Sequence, residues 1–190
     1  MRVFSKLIIL TVISLVILSC STQQIHQSFL RKEVDISYIK QVAVLKFENN
    51  SQQTHAAERL RNIVMTEILA LGLFDVVDKA LVDMVLTEEV VGEQGGYNKA
   101  TLRRIAKKLG VQALVVGSVD SYDIMREGSY SYPVVALTLR LVDGSTGEII
   151  WQASGTASGY STVGRLFGLK PKDLTQISFE LVESLLRSLK

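Results

Sequence analysis

The 190-residue chain carries 21 Lys and Arg, 19 Asp and Glu, two His and a single Cys. Arg2 and Lys6 stand ahead of an apolar run, and without them the basic residues only equal the acidic ones, so composition gives no case for nucleic-acid binding or for electrostatic attraction to a membrane. One cysteine excludes an internal disulfide, and His26 and His55 alone supply no metal-ligand cluster.

Leu7 to Leu18 is apolar except for Thr11 and Ser14, the length of a signal-peptide core and too short to span a bilayer. The string Ile17-Leu18-Ser19-Cys20 that follows resembles the bacterial lipobox, in which cleavage precedes a cysteine that takes diacylglycerol on sulfur and is acylated on nitrogen. Residues 1–19 are therefore expected to be a lipoprotein signal peptide and Cys20 the lipid attachment site. Acyl chains contribute about 0.8 kcal/mol per buried CH₂, enough for several to hold a protein on a membrane. Ser21, where an Asp would favour the inner membrane, points to the outer one. The mature chain of 171 residues is long enough for one domain with a sizeable core and hardly for two.

Residues 20–38 are mostly polar without periodicity and are expected to be a lipidated tether. Residues 21–38 would reach no more than about 60 Å at ~3.3–3.6 Å each. The folded domain is expected over residues 39–190. Gln41 to Phe47 alternates as a buried strand does. From Thr54 to Leu71 the stripe Ala57, Leu60, Val64, Ile68 and Leu71 predicts a core-facing helix, with Thr54 as N-cap, Gly72 beyond its C-terminus, and Glu58, Arg59 and Arg61 off the stripe. Phe74 to Val77 suits a second strand. Asp78 starts a helix to about Val91, with Leu81, Val85 and Leu86 inward. Lys99 to Leu109 is a further helix, its stripe Leu102, Ile105, Ala106 and Leu109 closed by Gly110.

Ala113 to Tyr122 reads as a central strand covered on both faces. Tyr132 to Val142 and Glu148 to Thr156 form an antiparallel hairpin about the turn Asp143-Gly144-Ser145-Thr146-Gly147. Residues 154–169 are rich in Gly and Ser, and Asp173 to Leu189 is a last helix burying Leu174, Ile177, Leu181, Leu185 and Leu189. The sum is an α/β domain, a mixed sheet of about five strands packed with about four helices.

Catalytic chemistry finds no foothold. Gly92-Glu93-Gln94-Gly95-Gly96 lies between helices and lacks the spacing of a phosphate loop, and Ser158 between Gly155 and Gly159 is no nucleophile elbow. Asp120 and Asp123 are expected on opposite faces of a strand end. Arg103, Arg104, Lys107 and Lys108 form one basic helix face, either simply solvated or a site for an anion or a partner. Tyr122, Tyr130, Tyr132 and Tyr160 gather near one connection, either as a binding surface or as sheet neighbours, Tyr122 opposite Tyr132. No catalytic, cofactor or metal residue is nominated, and the chain is expected not to be an enzyme.

Val42-Ala43-Val44-Leu45, Phe74-Asp75-Val76-Val77-Asp78, Leu109-Gly110-Val111 through Val119, and Leu139-Arg140-Leu141-Val142-Asp143-Gly144-Ser145-Thr146-Gly147-Glu148-Ile149-Ile150 resemble the CsgG family, which includes the curli-secretion lipoprotein. The resemblance covers roughly Ile39 to Leu189. It implies a domain also similar to the N-terminal domain of TolB and to the lipoprotein activator of penicillin-binding proteins. A membrane hairpin takes on the order of 20 residues, and Ile124 to Ser131 and residues 154–170 are too short or too irregular, so a short member without membrane-spanning hairpins is expected.

The resemblance thus implies a non-enzymatic, lipid-anchored periplasmic protein acting in curli-type assembly or export through other envelope proteins, either as a homo-oligomer or as a single copy. Two alternatives are a docking activator of a cell-wall synthase, disfavoured by the short tether, and an oligomeric outer-membrane pore. Neither nucleic acid nor a small-molecule substrate is expected as a partner.

Overall fold

The computed structural model of the protein describes residues 24–32, 34–89 and 97–189. Its seven strands form one mixed sheet: β1 (Gln24–Leu30), β2 (Gln41–Val44), β3 (Glu48–Asn49), β4 (Asp75–Val76), β5 (Ala113–Glu127), β6 (Tyr130–Asp143) and β7 (Ile149–Ser158). The strand order is β1-β7-β6-β5-β2-β4, with β3 also on β5. The β1, β7, β6 and β5 pairings are antiparallel, while β2 lies parallel to β5 and β4. Five α-helices accompany the sheet among the described residues: α1 (Ala56–Ala70), α2 (Lys79–Glu88), α3 (Lys99–Leu109), α4 (Thr162–Phe167) and α5 (Leu174–Arg187). The α/β class and the mixed sheet agree with the sequence.

Two cores flank the sheet. On one face α1 and α5 cover Val44, Val115, Val119, Leu137, Leu139 and Trp151, and on the other α2 and α3 cover Ala43, Leu45, Leu114 and Val116. The first half of β5 is thus buried on both sides, as its unbroken apolar run requires. Helix starts are fixed by side-chain acceptors: Asp78 Oδ1 takes the Ala80 N–H at 2.9 Å, Asn98 Oδ1 the Thr101 N–H at 2.9 Å, and Asp173 Oδ1 the Gln176 N–H at 2.8 Å. Gly110 ends α3 at φ 68°, a left-handed conformation that glycine adopts without a Cβ clash.

Four local expectations are corrected. Gln24–Leu30, within the expected tether, forms β1 and pairs in register with β7 from Gln24↔Ala157 to Leu30↔Trp151, because β7 would otherwise leave its backbone groups open at the sheet edge. Thr54 is not the cap of α1; His55 holds that position and makes no side-chain cap bond. Leu81 is 43% exposed, and Val82 takes its place in the core stripe with Val85 and Leu86. The connection expected over Ile124 to Ser131 shrinks to Gly128 and Ser129, because β5 and β6 stay paired out to Glu127↔Tyr130.

Arg61, expected on the outer side of α1, is completely buried. Its Nε and Nη2 donate to the Val44 carbonyl at 3.1 and 2.9 Å, where β2 leaves the ladder, and Nη1 meets Asp83 Oδ1 of α2 at 2.7 Å. A guanidinium survives burial only with such partners. Hence Arg61→Ala, which opens a cavity and orphans a carbonyl, is expected to cost about 3–5 kcal/mol. Asp83→Ala should cost less, about 1–3 kcal/mol, because the carboxylate is a third exposed and Arg61 keeps its two carbonyl bonds. Urea unfolding of both variants checks the order; equal losses would mean that the carboxylate, not the carbonyl, keeps Arg61 buried.

Candidate functional site

The two ends of the sheet differ in chemistry. At the end where β5 begins and β6 finishes, a groove of about 660 Å³ runs between α3 and the β6–β7 turn, lined by Tyr38, Arg103, Arg104, Lys107, Gln112 and Asp143 among others. Three backbone segments meet there. Gln112 Oε1 accepts the Lys40 and Gln41 N–H groups at 3.1 and 2.9 Å, holding the entry to β2 against the start of β5. Asp143 Oδ1 accepts the N–H and hydroxyl of both Ser145 and Thr146 at 2.6–3.0 Å, which folds the turn back on itself. Asp143 Oδ2 accepts the Tyr38 hydroxyl, 105 residues away in sequence.

Gly144 is required by close approach. A Cβ on it would stand 2.8 Å from Ala106 Cβ of α3 and 3.0 Å from the Gln112 carbonyl oxygen, so any side chain would push α3 off the groove floor.

Of the basic face on α3, half is committed to structure. Arg104 Nε pairs with Glu89 Oε2 at 2.8 Å, and Lys108 Nζ with Glu89 Oε1 at 2.9 Å and Glu88 Oε2 at 3.2 Å. Lys108 and Arg104 in turn hold the Glu89 carboxyl below its ordinary range. Arg103 and Lys107 have no ion pair among the described residues and both line the groove. The nearby carboxylate, Asp143, is saturated by its own donors. Two free cations therefore flank an aromatic and face outward, an arrangement suited to carboxylates on another molecule.

At the other end, beyond the last β7 pair, the β5–β6 hairpin continues alone. Tyr130, Tyr132 and Tyr160 interlock there, their ring centroids 5.1 to 6.1 Å apart. Tyr122 does not join them: a bulge between Val119 and Ser121 turns it into the core opposite Val135, while Tyr132 pairs with Met125. The expected Tyr122–Tyr132 pair does not form, because the tight turn at Gly128 and Ser129 sets a register in which Tyr122 faces Val135, three residues from Tyr132; the bulge separately inverts the strand's alternation.

The remaining singled-out residues scatter. Cys20 and Gly92 to Gly96 lie outside the described residues. His26 is in β1 near Ser184, and His55 is far off at the start of α1. Ser158 Oγ accepts the Tyr160 N–H at 3.1 Å, a turn contact. Asp120 and Asp123, expected apart, both accept from the loop after β3, from Asn50 and Gln53 respectively. Among the described residues no three or more metal-ligating side chains gather, and no helix is long and apolar enough to cross a membrane.

Sequence reasoning did not find Tyr38 or the α4 helix. No spacing links Tyr38 to Asp143. For α4 a signal existed, Ser161 ahead of an apolar pair, and its Oγ does accept the Gly164 N–H at 3.1 Å.

Burial would raise the Asp143 carboxyl, but the bonds from Ser145, Tyr38 and Thr146 outweigh it and hold the group at about 2, against an ordinary 3.8. Burial and the same Asp143 contact push the Tyr38 hydroxyl up to about 12. A carboxyl lowered by folding stabilises the fold above its ordinary range, and that increment is lost as pH falls from about 4 towards 2. Asp143→Asn is therefore expected to cost about 1–2 kcal/mol at neutral pH and distinctly less near pH 2. Urea unfolding at both pH values checks this, and a deficit independent of pH would remove the charge from the account.

Comparison with solved structures places the fold. The PelC dodecamer from Paraburkholderia phytofirmans matches at 19% identity and a TM-score of 0.61, over 88% of this chain and 97% of that one. A lipoprotein from Neisseria meningitidis matches at 16% identity and a TM-score of 0.54, over 79% and 97%. LpoB from Escherichia coli, solved by NMR, matches at 18% identity and a TM-score of 0.50, over 63% and 57%. A search of curated proteins finds no match.

The family model for the peptidoglycan-synthase activator LpoB matches residues 10–156. This overturns the resemblance to the CsgG family and, with it, the curli-assembly reading. The quoted segments follow from the fold's local demands: Asp143 and Gly147, the latter at φ 72°, are what the β6–β7 turn needs, and Leu109-Gly110 is what the end of α3 needs. With most of its length matched by that model, the chain belongs to the LpoB family of peptidoglycan-synthase activators.

Proposed function

We propose that this protein is a lipid-anchored, non-enzymatic activator of a peptidoglycan synthase, held by acylated Cys20 on the outer membrane with its domain in the periplasm, and that it works by docking on the synthase. The observation that carries this is the family match over residues 10–156. The groove supports this reading, since its chemistry suits docking: Arg103 and Lys107, without an ion pair among the described residues, line it with Tyr38. An acidic segment of the synthase is the complementary partner, since cations that are not already paired give association rate and selectivity when opposite charge arrives. Aromatic and Arg side chains are also what recurs in the energetic centre of interfaces.

The test is binding and stimulation with a purified peptidoglycan synthase: affinity by biolayer interferometry, and the rate at which the synthase polymerises its lipid-linked precursor with and without this protein. Arg103→Glu with Lys107→Glu is expected to weaken binding by at least about tenfold while leaving the circular dichroism and unfolding midpoint intact, because neither residue has an ion-pair partner among the described residues. Binding should also fall as salt rises. Absence of both binding and stimulation with the native protein would overturn the function; native binding indifferent to the double substitution would overturn the groove.

A further inference from the structure

β1 begins at the same end of the sheet as the β5–β6 hairpin tip, and only four chain steps separate its first residue from Cys20. Gln24 opens β1, pairs with Ala157, and through it stands level with Val135. From Val135 the hairpin runs on to Tyr130, five residues further, or about 17 Å at ~3.4 Å per residue. From Gln24 back to Cys20 there are four chain steps, no more than about 14 Å even when fully extended. With the strands upright on the bilayer, an anchored Cys20 on a chain of at most about 14 Å cannot lift a hairpin of about 17 Å clear of lipid.

The surface at that end has the chemistry of something that enters lipid. Leu166 and Phe167 of α4 are each 76% exposed and Leu169 is 56% exposed, and Ile124 and Met125 in the overhanging part of β5 are about half exposed. They are held in place by a rigid seat. Arg165 Nη1 bonds Glu127 Oε1 of the hairpin at 2.7 Å and the Tyr160 hydroxyl at 3.3 Å, and a Cβ on Gly164 would stand 3.2 Å from the Tyr130 hydroxyl oxygen. Glu127 is neutralised by Arg165, while Arg126 and Lys170 have no ion pair among the described residues. Large apolar side chains fringed by free cations suit the boundary between acyl chains and phosphate headgroups.

We infer that this end, the β5–β6 tip with α4, is a membrane-contact surface that seats the domain directly on the phospholipid bilayer carrying its anchor. The inference rests on acylation of Cys20, which belongs to the proposed function.

The test uses the full acylated protein reconstituted in vesicles of phosphatidylethanolamine and phosphatidylglycerol. Two variants each carry one reporter, Phe167→Trp at the tip and Arg103→Trp at the far groove; the native Trp151 is buried and serves as the shared background. Brominated acyl chains are expected to quench the added Phe167→Trp fluorescence about twofold or more, as a residue ~5–10 Å into the boundary requires, and to leave Arg103→Trp unchanged. An unquenched Phe167→Trp in protein that floats with the vesicles and carries its lipid by mass spectrometry would overturn the membrane seat and leave the anchor intact. Cross-linking through Phe167 between copies in place of quenching would overturn it in favour of self-association. Protein without lipid on Cys20 would instead overturn the anchor on which both readings stand.

Discussion

The pairing of β5 with β6 is the constraint on which the rest of the structure depends. One continuous antiparallel ladder runs from Ala113↔Asp143 to Glu127↔Tyr130, interrupted by a single bulge. On β5 its first half is buried on both faces, between the α1/α5 core and the α2/α3 core, and β2 and β7 pair along its two sides. Its second half outruns every neighbour. The bulge after Val119 separates the regimes: before it alternation serves the two cores, and after it one inserted residue sends Tyr122 inward and leaves Ile124 and Met125 in the open. A strand that would be a plain sheet member thereby becomes an arm.

How much of this the sequence disclosed depends on how local each determinant is. Elements whose limits are written in neighbouring residues were legible: α3 runs over the expected Lys99 to Leu109, between the Asn98 cap and Gly110, and Asp78 and Asp173 start the helices they were expected to start. Determinants that act across the fold were not. Nothing near Arg61 says that its guanidinium will meet a carbonyl on β2, and by hydrophobic periodicity alone it belonged to the solvent. Gln24 to Leu30 has the polar composition of a linker, and it is a strand because β7 offers it an open edge. The Tyr38–Asp143 bond closes a long loop whose ends no spacing rule connects. The same distinction explains the mistaken family resemblance, which rested on turn and cap residues, features that many chains of one fold share because geometry demands them.

Incorporation of β1 into the sheet changes what the anchor implies. A tether of residues 21–38 would have let the domain roam about 60 Å from the lipid at ~3.3–3.6 Å per residue, yet Gln24–Leu30 of that stretch is a strand of the sheet. β1 is an edge strand bonded along its length to β7, so with Cys20 acylated as proposed, pull on the lipid would be resisted by a whole ladder and not by one frayed end. Within the proposed reading, then, distance to the synthase is covered by the synthase or not at all.

The two ends of the sheet are complementary in that arrangement. The groove of Tyr38, Arg103 and Lys107 forms where β5 begins, and the apolar tip forms where β5 ends, so the strand that organises the core also holds these surfaces a full strand length apart. Were the tip on lipid, the groove would face away from the membrane with its cations free. The pairing is selective: Glu88 and Glu89 take up Lys108 and Arg104, and among the described residues no carboxylate pairs with Arg103 or Lys107. A face meant only to be soluble gains nothing from such selective pairing, because neutralising all four cations or none would serve as well. Within the proposed reading, the division of α3 into paired and unpaired charge is what favours the groove as the place where an acidic partner would be received.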